Sequence, residues 1–338
     1  MGGSVSYAGF EGFDLELGSG DDTMQIDSID IASRVAAGFG DDHVTVCDGT
    51  VNAIDAQLTL SGQDDFDILR VNEVSETADG SGILTSTTFS GFGMTGNIVY
   101  DTFEDIDIDL GSGADDLTIS TTHSGTPEVR GYGGLDTIYV QNISGDTTVY
   151  GGDDDDTVEL GNAGLLTGID ALLTFAGEAD SDTLNVRNQN DATGAAGQLT
   201  SSTLSGLGMG GSVSYNTLED VNIYLGSGAD DFTVVSTHTE STYISAGDGG
   251  DQLTIETIDG PTTLSLGDGD DRVDVGNANG VDGIADTLTI QGDAGNDTVS
   301  VNDDPDTSDN TGLLDGDTLT GLTCSDSDAN GVPSTGNV

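Results

Sequence analysis

Eleven aspartates close short, glycine-rich acidic turns along this chain: Asp22, Asp42, Asp67, Asp115, Asp136, Asp156, Asp182, Asp230, Asp251, Asp271 and Asp297. Asp154, Asp248, Asp268 and Asp293 lie inside the same turns and add carboxylates beside them. A turn of this kind brings side-chain carboxylates and main-chain carbonyls close together. That is an oxygen-only donor set, the kind hard divalent cations take. The spacing is regular, at 20, 25, 48, 21, 20, 26, 48, 21, 20 and 26 residues. If each 48 is two steps of 24, every step is 20–26 residues long.

The charge balance narrows the chemistry further. The chain has 338 residues with 62 Asp and Glu against 5 Lys and Arg, a formal net charge of −57. All five cations are arginine (Arg34, Arg70, Arg130, Arg187, Arg272), and the acids divide into 51 Asp and 11 Glu. Such a chain cannot neutralise nucleic-acid phosphates and is repelled by anionic lipid. Without lysine it has no Schiff-base or phosphate-clamping Lys. No apolar run is long enough to span a membrane, and the first residues lack the basic end and apolar stretch of a signal peptide. Two cysteines, Cys47 and Cys324, are too few for a disulfide framework.

A long repeat sets the architecture. Leu110-Gly-Ser-Gly-Ala-Asp-Asp116 recurs as Leu225-Gly-Ser-Gly-Ala-Asp-Asp231, and Ser90-Gly-Phe-Gly-Met94 as Ser205-Gly-Leu-Gly-Met209, each 115 residues on. The copies span 1–93, 94–208 and 209–323, the first being 22 residues short, which is about one step. Loss of one step is tolerated by stacked coils and not by a globular core. The second and fourth residues after each turn aspartate are apolar in all eleven cases, from Met24/Ile26 and Val44/Val46 to Val273/Val275 and Val299/Val301. That is period two and rich in β-branched residues, the signature of a strand with one buried face. A second alternating run precedes most turns. The expectation is an all-β parallel β-solenoid of about 14 coils of 20–26 residues over 1–323, with 324–338 a tail or linker. A right-handed coil follows from the general preference of parallel crossovers.

The turns resemble the nonapeptide Gly-Gly-x-Gly-x-Asp-x-apolar-x of repeats-in-toxin (haemolysin-type) calcium-binding β-rolls. The nearest matches are Gly151-Gly-Asp-Asp-Asp-Asp-Thr-Val-Glu159 and Gly292-Asp-Ala-Gly-Asn-Asp-Thr-Val-Ser300, followed by Leu266–Asp274 and Ala246–Thr254. The resemblance implies Ca2+ held between coils by turn carbonyls and the turn aspartates, and the family's Asp position maps onto the eleven residues above. The long unit looks like the tandem arrays of very large bacterial surface proteins. This chain differs in having one such turn per coil, so ions are expected along one edge only. The other edge would be closed by turns such as Ser144-Gly-Asp146 and Asp259-Gly-Pro261. Where Gly91-Phe-Gly93 and Gly206-Leu-Gly208 carry no Asp, the ion row should break. Carboxylates stacked ~5 Å apart repel by about 1 kcal/mol per pair even at high dielectric, and Ca2+ would turn that repulsion into cross-linking. Two plainer readings compete: Gly-Asp as ordinary turn chemistry, and halophilic adaptation, which the excess of Asp over Glu disfavours.

Other chemistry is weakly represented. His123 and His238 occupy one repeat position and His43 another, so surface turn residues are expected. No Gly-x-Ser-x-Gly elbow is present, and the arginines fall at unrelated repeat positions, which argues against a polysaccharide lyase. Tyr100 and Tyr215, in phase with Tyr7, are read as coil-packing aromatics. Cys47 replaces a turn glycine and is expected to be accessible, able to pair with Cys324 between chains. The reading is an extracellular, calcium-stabilised structural module without catalysis, associating end to end or with neighbouring repeats. An adhesive glycan- or partner-binding stalk is the alternative.

Overall fold

The computed structural model describes residues 5–6, 8–304, 313–315 and 318–320. Met1, Tyr7, Cys324 and the 324–338 tail lie outside the described residues. The chain forms two compact units, Met1–Arg187 with Gly208–Val221, and Asn188–Leu207 with Asn222–Val338. Among the described residues every regular element is a strand. The fold is a parallel β-solenoid.

In the first unit, strands alternate between two sheets. Gly12–Glu16, Ala32–Gly38 and Gln57–Gln63 stack in parallel in one sheet. Thr23–Ile26, His43–Val46 and Ile68–Asn72 stack in parallel in the other. Acidic turns carry the chain from the first sheet to the second. The apolar pairs face inward between them: Val44, Leu69, Val71, Ile106, Val129 and Val149 are all essentially without exposure. Each such side chain contributes roughly 1.5–3 kcal/mol by leaving water. The last expected pair, Val299 and Val301, is 48% and 42% exposed on the final strand of the second unit's described stack.

The 48-residue intervals differ from the expectation of two plain coils. After Ile68–Asn72 the chain makes three successive strands in one sheet. Ser81–Leu84 and Thr88–Gly91 form an antiparallel hairpin, and Asn97–Asp101 returns antiparallel to the latter and parallel to Gln57–Gln63. Thr85 and Thr88 close the hairpin through their hydroxyls, 2.7 Å apart. Gly91-Phe92-Gly93, all at left-handed φ, ends the hairpin, and Phe92 stacks on Phe89 at 5.6 Å. The segment is therefore a hairpin exit with an aromatic plug, and no acidic turn has been lost there.

This excursion moves the acidic turns to the other side. Ile68–Asn72 and Asp105–Asp109 run parallel, with Ile68 opposite Asp105 and Asn72 opposite Asp109. The Asp67 turn precedes Ile68, whereas the Asp115 turn follows Asp109. The two turns thus sit at opposite ends of paired strands, on opposite edges. From Asp115 to Asp182 the acidic turns stay on this second edge, while Ser144-Gly145 closes the first, its N–H groups donating to the buried Thr122 hydroxyl. The expectation of a single acidic edge is corrected.

The second unit repeats the pattern within itself. Ala196–Leu199 and Thr203–Gly206 form the hairpin. Ala196–Leu199, Asp231–Val234, Gln252–Ile255, Arg272–Val275 and Thr298–Val301 stack in parallel, facing Ser241–Ser245, Thr262–Ser265 and Leu288–Gln291. Asp259-Gly260 caps on the Thr237 hydroxyl as Ser144-Gly145 does on Thr122.

Phe175, without exposure, and its strand neighbour Thr174, facing outward, give a direct check. Phe175→Ala should cost about 3–5 kcal/mol by urea unfolding, and Thr174→Ala less than about 0.5 kcal/mol.

Candidate functional site

The eleven turn aspartates point into the solenoid and form three ladders. In the first, Asp22 N–H donates to Asp42 Oδ1 at 2.7 Å, Asp42 N–H to Asp67 Oδ1 at 2.9 Å, and Asp67 N–H to Glu104 Oε2 at 2.9 Å. The second runs from Gly80 N–H to Asp115 (2.7 Å), then through Asp136, Asp156 and Asp182 at 2.8–2.9 Å. It ends on Glu219 Oε2 at 2.7 Å. The third, in the second unit, runs from Ala195 N–H through Asp230, Asp251 and Asp271 to Asp297 at 2.6–3.1 Å. The carbonyls of the ten ladder aspartates from Asp22 to Asp271 also accept from the first strand residue of the next coil, as Asp136 does from Thr157 at 2.9 Å.

Glu104 and Glu219 were not among the expected site residues. They end the first two ladders because the Thr102-Phe103-Glu104 and Thr217-Leu218-Glu219 turns lack the glycine loop, so a longer side chain must reach the same N–H. Their recurrence 115 residues apart, each followed by Asp, is the signal that marks them.

The aspartates outside the ladders lie in the open. Asp154 and Asp293 are exposed and accept from the Gly134 and Gly267 N–H groups, at 3.2 and 3.3 Å. Asp248 and Asp268 are exposed and stacked on each other in adjacent coils. Among the described residues, no three His, Cys, Asp or Glu side chains converge on one metal position. His123 and His238 do not act in a shared centre: the first contacts the Glu104 carbonyl and the second the Thr242 hydroxyl. Cys47 is buried at 1% exposure, and burial pushes its thiol up to about 12. The expectation of an accessible Cys47 is corrected, because its Sγ faces the Asp27 carbonyl inside the coil. Tyr100 and Tyr215 are buried packing residues, at 3% and 2% exposure.

The ladders leave one oxygen unsatisfied on seven of the eleven aspartates, whereas Oδ2 of Asp22, Asp115 and Asp230 accepts from the Gly18, Gly111 and Gly226 N–H groups. Oδ2 of Asp42, Asp67, Asp136, Asp156, Asp182, Asp251 and Asp271 is buried without a hydrogen bond, a costly state for a charged acceptor. On the second ladder the orphan Oδ2 atoms of Asp136, Asp156 and Asp182 each share their space with a main-chain carbonyl, and glycine makes that space. A Cβ on Gly131 would lie 2.4 Å from Asp136 Oδ2 and 2.1 Å from the Gly151 oxygen; on Gly177, 2.3 Å from Asp182 Oδ2 and 2.3 Å from the Thr217 oxygen. Two acceptors facing one space need a proton or a cation. The residues therefore fit a hard cation that takes one carboxylate oxygen per coil and completes its shell with carbonyls and water.

Without a cation, burial favours the protonated form of eight of the ladder aspartates. Burial, the largest cause, pushes Asp67 and Asp182 up to about 6, Asp156 and Asp251 to about 7, and Asp136 to about 8, with neighbouring carboxylates adding to each. Burial likewise raises Asp115, Asp230 and Asp271.

No family model matches the chain, and no curated protein matches its sequence. Among solved structures it is similar to a hyperactive, Ca2+-dependent, β-helical antifreeze protein from an Antarctic bacterium, at 15% identity and a TM-score of 0.19. The match covers 84% of this chain and 65% of that protein's length. At that score the likeness carries no argument; the strand pairing establishes the fold by itself.

The raised values predict a pH dependence. Between about pH 4 and pH 8 the folded ladder holds protons that the unfolded chain has released, so stability falls as pH rises through that window. Thermal melts in chelator should therefore give a Tm that drops from pH 5 to pH 8. In Asp136→Asn the amide oxygen keeps the ladder bond and the NH2 group faces the Gly151 carbonyl. Its metal-free Tm at pH 8 should be higher than that of the parent, by order 1 kcal/mol of stability.

Proposed function

We propose that this chain is a calcium-binding structural repeat module that works outside the cell, with Ca2+ bridging successive coils along the aspartate ladders. The observation that carries this reading is the row of buried, unpartnered Oδ2 atoms, set against main-chain carbonyls on the second ladder. Ca2+ takes six to eight oxygens at flexible geometry and would replace the proton on each carboxylate without the directional donor a proton needs. Asp67, Asp136, Asp156, Asp182, Asp251 and Asp271 would hold it from inside the turns. The exposed Asp154, Asp248, Asp268 and Asp293 would raise its local concentration from outside. The bound ion would supply charge neutralisation and cross-linking between coils, which is a structural role.

The absence of lysine supports the same reading, because no ammonium competes for the turn oxygens. Weak sites with a Kd of ~10⁻⁴–10⁻³ M fill at millimolar extracellular calcium and empty in cytosol, which supports an extracellular place of work. End-to-end association with further coils is supported by the Gly12–Glu16 strand. Among the described residues it ends the strand order of its sheet, the position at which a further strand adds.

Calorimetric titration with Ca2+ at pH 7.5, paired with melts in EGTA, tests the proposal. At about 100 times Kd the ion should stabilise by roughly 2.7 kcal/mol per linked site, and KCl at equal ionic strength should not replace it. Asp136→Asn should lose part of the calcium-dependent gain, while its metal-free stability stays at or above that of the parent. Equal melting in Ca2+ and EGTA would overturn the reading. For association, sedimentation should show calcium-dependent growth of end-linked species.

A further inference from the structure

We infer that the outer face of the sheet containing Asp105–Asp109, Thr126–Gly133, Thr147–Asp153 and Leu172–Glu178 carries a binding groove for a neutral saccharide. The inference does not depend on the calcium reading. Parallel register brings residues far apart in sequence side by side. Asp109 lies between Asn72 and Arg130, Arg130 is opposite Tyr150, and Gly152 is flanked by Tyr132 and Glu178. Arg70 and Arg130, at unrelated repeat positions, therefore meet. Both guanidinium groups donate to Asp109, the Arg130 contact being 3.2 Å, and Tyr132 Oη donates to it at 3.1 Å. Asp109 has no exposure, so it acts as the fixed anchor under a lid of two arginines and a tyrosine.

Beside this anchor, Glu128, Arg130, Tyr132, Tyr150 and Glu178 line a concavity of about 320 Å³, at the lower end of the range for small-ligand sites. Gly152, without a side chain, forms the gap between Tyr132 and Glu178, whose strands are two steps apart, roughly 9–10 Å. Tyr132 is 38% exposed, and its ring position is fixed by the bond to Asp109.

The make-up of this groove is particular to this copy of the repeat. Tyr132 sits at φ +72°, in the left-handed region that Gln63 and Glu178 also adopt four residues before their turn aspartates. A side chain there costs ~1 kcal/mol or more, and the equivalent residues of the neighbouring repeats are Gly18 and Gly247. The repeat thus accepts glycine here, and this copy keeps a strained tyrosine. The rest of the cluster is also particular to this copy: 115 residues on, Asp109, Arg130 and Tyr150 become Tyr224, Ser245 and Ser265.

The chemistry selects the ligand. Asp107, Asp109, Glu128 and Glu178 outnumber Arg70 and Arg130, and Arg130 is also paired with Glu128, so acidic sugars and phosphates are disfavoured. Tyrosine rings pack against the C–H faces of a pyranose ring, free carboxylate oxygens accept its hydroxyl protons, and the remaining guanidinium N–H groups donate to its oxygens.

A glycan array of neutral, acidic and amino oligosaccharides, probed with the full chain in Ca2+, tests this, with the strongest neutral binder then titrated by saturation-transfer NMR. Neutral glycans should bind, and Tyr150→Ala and Glu178→Gln should each weaken them at least tenfold with unchanged circular dichroism. Tyr132→Gly restores the residue the other repeats use, and should abolish binding while leaving the Tm equal or higher. The inference is overturned if only acidic or amino glycans bind, if no glycan binds, or if neutral binding is indifferent to these three variants.

Discussion

The interaction on which the structure depends is the bond from one turn's aspartate N–H to the carboxylate of the turn in the next coil. Strands in a parallel stack satisfy each other's backbone, but a turn leaves its own N–H groups without a ladder partner, and a buried unpaired N–H is expensive. The side chain of Asp42, Asp136 or Asp251 supplies that partner at the edge where the sheet cannot. It also fixes the register of one coil on the next, because a slip of one residue would remove every such bond and turn the apolar pairs outward. Where the turn shortens, at Glu104 and Glu219, the longer glutamate reaches the same donor.

Satisfying nitrogen by carboxylate creates the second constraint, a buried column of like charges. At an effective dielectric of about 20, neighbours ~5 Å apart repel by roughly 3 kcal/mol. A proton relieves this at low pH, and a divalent ion would at neutral pH. The cradle glycines Gly131 and Gly177 belong to the same device, because a methyl group there would fill the space that the orphan oxygen and its neighbouring carbonyl share.

The sequence shows the solenoid clearly, because period two in pairs such as Leu69/Val71 and Leu253/Ile255 is a local signal repeated many times. It also shows the turn aspartates, which glycine marks. It does not show the hairpin at Ser81–Gly91, because a 48-residue interval divides evenly into two plain coils and nothing local reports strand direction. That same arithmetic concealed the change of edge. The meeting of Arg70 and Arg130 at Asp109 was illegible for a related reason. Three residues on separate strands are joined only by register, and the register follows from the excursion.

The excursion has a mechanical consequence. A cation that draws coils together on one edge shortens that side and leaves the other unchanged, so a stack with all its acidic turns on one side would bow as calcium rose. In the first unit the Asp22–Glu104 and Asp115–Glu219 ladders lie on opposite edges, so ions bound along both would pull on opposite sides and their bending moments would oppose. Such a strut can stiffen on taking up ions and still keep its direction.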